Sequence, residues 1–158
     1  MHYLHRRKSG VFAGLLLACA LTACGTDPKM TQFREDMDTF CTSIATIDDA
    51  INAIDPEAEN ASELALSYLD QLDQTFQDFA QMDFPESYDY LEPVADEAGT
   101  YMQEAVKSYH LAYADNDYNA ETAAYARENS ARAFKRVQVI IDILHGNEPT
   151  AVSTSASP

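Results

Sequence analysis

The chain has 158 residues with 26 acidic and 10 basic side chains, and its net charge is −16. A chain this acidic repels phosphate backbones, which excludes nucleic-acid binding, and it argues against a protein face that lies on an anionic membrane. Trp is absent and only five residues are Gly, which disfavours Gly-rich phosphate loops and hairpin-rich sheets.

The N-terminus has the composition of an export signal. The basic residues Arg6, Arg7 and Lys8 precede an apolar run over 11–21 that is too short to remain in a bilayer as a spanning helix. The run ends in Leu21-Thr22-Ala23-Cys24, an aliphatic residue and two small residues before a cysteine. This tetrapeptide resembles the lipobox of bacterial lipoproteins, and the resemblance covers only the first 24 residues. An ordinary secretory signal with a cysteine at its cleavage site is the alternative.

The lipobox resemblance implies how the chain is processed and where it resides. It implies that residues 1–23 are removed as a signal peptide and that Cys24 is alkylated by diacylglycerol. Two or more acyl chains would then anchor the protein stably on the extracytoplasmic face of a bacterial membrane. We expect no other cofactor and no metal. Because Cys19 would leave with the signal and Cys24 would carry lipid, we expect Cys41 to be the only remaining thiol, with no internal disulfide.

The remaining 135 residues carry 26 acids and 7 bases, a net charge of −19, and can bury a core as one domain. The first two predicted helices have bulky apolar residues spaced alternately three and four apart. Asp27 before Pro28 predicts an N-cap for the first helix, over 28–54. Asn60 and Glu63 predict a capping box for the second, over 61–83. The two apolar stripes are Met30, Phe33, Met37, Phe40, Ile44, Ile47, Ile51 and Ile54, then Ala65, Leu69, Leu72, Phe76 and Phe79.

Two further stripes predict helices over 86–114 and 120–145, dominated by Ala. Pro93 either kinks a third helix that begins near Pro85 or lies in the first turn of a helix that begins near Tyr90; we favour the kink. Asn119 is the predicted N-cap of the fourth helix, and Gly146 its C′ residue. The stripes are Tyr88, Leu91, Ala95, Ala98, Met102, Ala105, Tyr109 and Ala112, then Ala123, Ala126, Ser130, Ala133, Val137, Ile140 and Leu144.

Four amphipathic helices with short connections predict an all-α fold, an antiparallel up-and-down four-helix bundle over 24–146. We expect the small residues, Ala95 and Gly99 among them, to let the third and fourth helices pack closely. The Ser/Thr/Ala/Pro-rich tail over 147–158 is expected to be disordered. The first helix begins four residues after Cys24, a span of at most about 14 Å, so the bundle would lie close to the bilayer. The connections near 55–60 and 114–119 would lie at its far end.

A candidate interaction surface follows from that topology. The far end would gather nine carboxylates with no base among them, and three tyrosines on the second half of the chain could add contact area with a polar tip. The candidate residues are Asp48, Asp49, Asp55, Glu57, Glu59, Glu63, Asp115, Asp117, Glu121, Tyr101, Tyr113 and Tyr118.

Three other patterns have simpler explanations than a ligand site. The spacing of Asp115, Asp117 and Asn119 resembles the opening of a calcium loop, but Ala120 and Ala126 replace its Gly and bidentate Glu, so we interpret it as a turn with an N-cap. Met37 and Cys41 could offer sulfur to Cu(I), but their spacing already places them in the core. The bases of the fourth helix, Arg127, Arg132, Lys135 and Arg136, are interpreted as ion-pair partners rather than as an anion groove.

No motif for a nucleophile, a metal centre or a phosphate loop is present in the sequence. We therefore expect a protein that binds rather than catalyses. The predicted function is a lipid-anchored, extracytoplasmic interaction module of the bacterial envelope, with a basic protein or wall component as its partner. The alternative is a lipoprotein that binds a small molecule or metal ion for a transporter or sensor.

Overall fold

The computed structural model describes residues 27–114 and 118–147, and this part of the chain is all-helical. Four α-helices span Pro28–Asn52 (α1), Ala61–Ala80 (α2), Glu92–Ala112 (α3) and Ala120–Leu144 (α4), and a 3₁₀ turn over Asp89–Leu91 leads into α3. The predicted all-α class and the four helices are confirmed, and no strand occurs within the two described ranges. The predicted signal peptide, Cys24 and the predicted disordered tail beyond residue 147 lie outside these ranges. No helix of the described part is long and apolar enough to cross a bilayer.

The four apolar stripes meet in one core, as their spacing predicts. The stripe residues of α2, α3 and α4 are nearly all buried, and in α1 Phe33, Met37, Phe40 and Ile47 are buried while the remaining isoleucines are half-buried. Phe76 of α2 lies at the centre. Its ring contacts Phe40 of α1 at a centroid distance of 5.5 Å and Phe134 of α4 at 5.3 Å, both edge to face. One aromatic side chain therefore joins three of the helices.

The helix starts follow the predicted caps in two cases of three. Asp27 accepts a hydrogen bond from the Lys29 amide at 3.0 Å, and Asn119 accepts one from the Thr122 amide at 2.9 Å. Each side chain satisfies a backbone donor that has no partner within its helix. The capping box predicted at Asn60 is wrong, because the Asn60 side chain makes no capping hydrogen bond. The Asn60 backbone, at φ −102° and ψ 14°, lacks the extended conformation found at Asp27 and Asn119.

The start of α3 corrects a second prediction. The helix begins at Glu92, with Pro93 in its first turn, so Pro93 does not kink a longer helix as we favoured. A proline costs least there, because the amide it lacks would have no partner in the helix anyway. The end of α4 is as predicted. Gly146 has φ +72°, and the amides of Gly146 and Asn147 donate to the carbonyls of Ile143 and Asp142 in a Schellman motif.

Small residues control how closely α3 approaches its neighbours. Among the described helix pairs, α3 and α4 share the most extensive contact, in agreement with the prediction from the Ala-rich stripes that they pack together. Gly99, however, faces α2 rather than α4, so that part of the prediction is wrong. A Cβ at Gly99 would lie 3.1 Å from the Ala80 Cβ and 3.4 Å from the Phe76 carbonyl oxygen. The Gln77 side chain also donates to the Gly99 carbonyl at 3.1 Å.

Cys41 belongs to the core face of α1. It is buried on α1, and it is disulfide-bonded. The prediction of a single remaining thiol concerns the processed chain, in which Cys19 is removed and Cys24 carries lipid, and it stays a prediction. Cys41 is the only cysteine within the described ranges, so the bonded partner lies outside them.

Candidate functional site

The end of α1 and the connection to α2 form a continuous acidic surface. Asp49, Asp55, Glu57, Glu59 and Glu63 are exposed, and the sequence between positions 48 and 63 contains no base. Asp55 is partly used by the fold, since its carboxylate accepts a hydrogen bond from the Glu57 amide at 3.0 Å and shapes the turn. The other exposed carboxylates of this surface form no ion pair with a described residue.

Asp48 differs from its neighbours because it is half-buried. Its Oδ1 is shielded from solvent and has no hydrogen-bond partner in the described part of the chain. Burial raises the pKa of the Asp48 carboxyl above its ordinary value, the charge of Asp49 raises it further, and a hydrogen bond with Asn52 opposes both effects. Asp48 therefore contributes charge to the acidic surface at a cost to the fold.

The second connection is described only in part. Asp115 and Asp117 lie outside the described residues. Glu121 is exposed in the first turn of α4. The Asn119 side chain, which the calcium-loop alternative would use as a ligand, caps α4 instead. Within residues 27–114 and 118–147, no group of three or more His, Cys, Asp or Glu side chains is placed to hold a metal ion.

Tyr113 and Tyr118 are brought together on either side of this connection. Their ring centroids are 5.2 Å apart and their planes are inclined at 53°. The two residues are 42% and 52% exposed, so much of each ring faces solvent. The backbone fixes the pair, because the amide of Asn119, next to Tyr118, donates to the carbonyl of Ala112, next to Tyr113, at 3.0 Å.

Tyr101, the third predicted tyrosine, is not part of that pair. It lies three helical turns earlier on α3, about 18 Å along the axis from Tyr113. The guanidinium carbons of Arg132 and Arg136 lie 5.8 and 5.7 Å from the centroid of its ring. Arg136 is also ion-paired with Glu97 and Arg132 with Glu128. These two bases of α4 are therefore paired, as predicted, and Tyr101 belongs to the α3–α4 contact.

Two residues that sequence reasoning left out of the site lie beside the tyrosine pair. Burial raises the pKa of Tyr109, while the charge of Arg127 and the Ser130 hydroxyl oppose that rise. Burial also raises the pKa of Tyr113, the nearby Tyr118 adds to the rise, and Arg127 again opposes it. Arg127 thus lies close enough to both phenols to act on them electrostatically. The spacing of four places Tyr109 and Tyr113 on one side of α3, but the apolar repeat assigns Tyr109 only to the core.

Polar groups are also buried on α4. Asn129 is only 2% exposed, and its Nδ2 has no hydrogen-bond partner in the described ranges. The Ser130 hydroxyl faces Tyr109 without reaching hydrogen-bond geometry, and it too lacks a described partner. A buried polar group without a partner destabilises a fold. Both residues are buried, so neither lies on the surface that a partner would contact.

Comparison with known proteins adds no relative to this description. No protein-family model matches the chain, and no match was found among curated proteins or solved structures.

Proposed function

We propose that the protein is a lipid-anchored interaction module of the bacterial envelope that presents an acidic end to a basic partner. The anchoring part of the proposal is supported by the lipobox-like Leu21-Thr22-Ala23-Cys24 after a basic and apolar leader. Processing at that site would leave Cys24 as the first residue, four positions before α1 begins at Pro28. A spacer of this length reaches at most about 14 Å, so α1 would begin near the membrane.

The proposed topology is an antiparallel up-and-down bundle. Contacts between α1 and the end of α2 support it, because Phe40 contacts Phe79 while Phe33, one heptad earlier, contacts Phe84 beyond α2. The contacts of α2 with α3 follow the same trend, with Gln77 bonded to Gly99 and Asp70 bonded to His110 at 2.6 Å. Between α3 and α4, Glu97 pairs with Arg136, whereas Ala112 bonds to Asn119. In each of these helix pairs, the contacting residues have increasing residue numbers along one helix and decreasing residue numbers along its neighbour.

An antiparallel arrangement assigns each connection to one end of the molecule. With the start of α1 at the membrane, the acidic connection between α1 and α2 lies at the far end, and so does the Tyr113–Tyr118 pair between α3 and α4. The connection that contains Phe84 and Pro85 lies at the membrane end. The body carries a net charge of −19, which anionic lipid headgroups would repel, so the acidic end would face away from the bilayer.

The observation that carries the proposal is the run of exposed carboxylates without a counter-charge between Asp49 and Glu63. Such a surface attracts a cationic partner over several ångströms and speeds its encounter, and it does so less at high salt. A basic protein or a cationic component of the cell wall has the complementary chemistry.

The proposal is tested by capturing envelope partners with the full-length protein from detergent extracts. The test variant replaces six carboxylates by amides at Asp48, Asp49, Asp55, Glu57, Glu59 and Glu63. A matched variant makes the same charge change at exposed carboxylates elsewhere, at Glu35, Asp38, Glu86, Asp89, Glu92 and Asp96. We expect the first variant to lose basic partners that the wild type and the matched variant retain. Equal capture by all three proteins would refute the proposed role of the acidic end.

A further inference from the structure

We infer that Tyr113 and Tyr118 form a docking site for an arginine side chain of a basic protein segment. The inference rests on the proposed function and deepens it, because it names the group through which the partner makes contact. The acidic surface would attract the segment, and the tyrosine pair would bind one of its guanidinium groups.

The geometry of the pair suits a planar cation. The rings are 5.2 Å apart between centroids and inclined at 53°, so they contact each other at an angle while both residues stay exposed to solvent. The hydrogen bond between Asn119 and Ala112 fixes the backbone on both sides, and the capping bond from Thr122 to Asn119 fixes the start of α4. A pre-positioned aromatic pair loses little conformational entropy when a ligand binds.

The same chain already binds guanidinium groups in this way. Arg132 and Arg136 both lie within 5.8 Å of the centroid of the Tyr101 ring. The negative face of an aromatic ring attracts a cation, and Arg is the side chain found there most often. At Tyr113 and Tyr118 the rings are exposed, and no guanidinium of the described residues lies over them at such a distance.

The net negative charge of the chain favours an external cation over a second copy of this chain as the occupant of the pair. A second copy of this chain would bring another body with a net charge of −19 to the pair, and like charges repel each other. Arg127 is the one described base that acts electrostatically on Tyr113. As a like charge it weakens the binding of any arriving cation, and this gives the inference a distinctive test.

The first test measures the affinity of the full-length protein for a labelled ten-residue peptide of alternating Arg and Ala, by fluorescence anisotropy near physiological ionic strength. Tyr113→Leu with Tyr118→Leu removes the aromatic faces but keeps apolar bulk. We expect a Kd weaker by roughly 5- to 30-fold, from about 0.5–1 kcal/mol per exposed cation–π contact. Tyr113→Phe with Tyr118→Phe keeps the faces and is expected to bind within about 2-fold of the wild type. Tyr90→Leu removes a tyrosine that is 59% exposed far from the pair, and should change nothing.

The second test replaces Arg127 by Gln. The inference predicts tighter binding of the Arg-Ala peptide, because a like charge beside the pair is removed. Unchanged or weaker binding would contradict the inference, and so would wild-type affinity in the double Leu variant.

The six-carboxylate variant separates failure of this inference from failure of the proposed function. If that variant loses the peptide while the double Leu variant binds normally, the acidic end acts without the tyrosines, and only the inference is overturned. If the six-carboxylate variant binds the peptide as tightly as the wild type does, the acidic end plays no part in binding. The proposed function is then overturned together with the inference that rests on it. All the substituted tyrosines are exposed, and circular dichroism of each variant checks that the helices persist.

Discussion

Arg136 of α4 lies over the ring of Tyr101 of α3, with its guanidinium carbon 5.7 Å from the ring centroid. The Arg136 side chain is only 15% exposed, and it also pairs with Glu97. A largely buried guanidinium with both an aromatic and a carboxylate partner contributes more than an ordinary surface ion pair. Tyr101 and Arg136 thus help to hold together the two helices that carry the tyrosine pair.

The first prediction concerns this contact. Arg136→Ala is expected to lower the free energy of unfolding by about 1–2 kcal/mol, because it removes a cation–π contact and leaves Glu97 unpaired. Lys cannot reproduce the planar fork of Arg, so Arg136→Lys should recover only part of the loss. Chemical denaturation followed by circular dichroism measures both. Lys135→Ala, at the exposed neighbouring position, is the control and should stay within about 0.5 kcal/mol of the wild type. An equal effect at positions 135 and 136 would contradict the role given to Arg136.

Phe76 provides a test of the core. Its side chain is fully buried and its ring contacts Phe40 and Phe134 on two other helices. Phe76→Ala is expected to cost about 3–5 kcal/mol, because it removes apolar contacts and leaves a cavity. Phe76→Leu should cost less because it keeps most of the volume. Urea denaturation gives both values. A loss below about 1 kcal/mol for Phe76→Ala would mean that the three helices do not meet at this residue.

Gly99 tests how closely α2 and α3 approach. Even a Cβ at this position would lie 3.1 Å from the Ala80 Cβ, so Gly99→Leu must push the helices apart. We expect a loss of about 1–3 kcal/mol by thermal or urea unfolding. Thr100→Leu adds the same side chain at the next, exposed position and should have little effect. If both substitutions were tolerated equally, the close approach at Gly99 would be contradicted.

Asp48 predicts a specific dependence of stability on pH. Burial raises the pKa of its carboxyl in the folded state above the ordinary value of 3.8, so the folded state holds its proton more tightly than the unfolded state. Stability that depends on Asp48 is therefore greatest below pH 3.8 and is lost as the pH rises through the higher folded-state value. Asp48→Asn should stabilise the protein at pH 7 and lose that advantage below pH 3.8, which unfolding curves at several pH values measure. Asp38→Asn, at an exposed position on the same helix, is the control. If both variants changed the free energy of unfolding in the same way at every pH, the role given to the burial of Asp48 would be contradicted.

The sequence predicted the helices and most of their core because these depend on local spacing. A residue such as Phe40 or Met102 enters the core through an apolar repeat that is visible in one dimension. The caps at Asp27 and Asn119 were predictable for the same reason. The capping box at Asn60 failed because side-chain capping also needs an extended backbone at the cap, which residue types alone do not specify.

The errors arose where the answer depends on partners distant in sequence. Gly99 lies next to the apolar stripe of α3, and its position in the sequence does not show whether it faces α2 or α4; only the packed bundle shows that it meets Ala80. Tyr101 and Tyr113 are equivalent as aromatic residues of α3, but only Tyr101 has Arg132 and Arg136 opposite it. The contact between Tyr113 and Tyr118 depends on how the chain turns between two helices, which their composition does not determine.

The modification of Cys24 is the assumption on which the placement of the acidic end depends. Lipidation of Cys24 and a disulfide between Cys24 and Cys41 exclude each other, since both would use the same sulfur atom. Cys41 is disulfide-bonded in the full chain, so the chemical state of both cysteines after processing is decisive.

The most direct measurement is the intact mass and peptide map of the protein extracted from membranes of a bacterium that expresses the full chain, with Cys24→Ser as the control. We predict a product that begins at position 24 and carries at least one diacylglyceryl group, and we predict that Cys24→Ser abolishes both the lipid and the cleavage. A soluble product, an uncleaved chain, or Cys24 recovered in a disulfide with Cys41 would contradict the proposal of a lipid-anchored module.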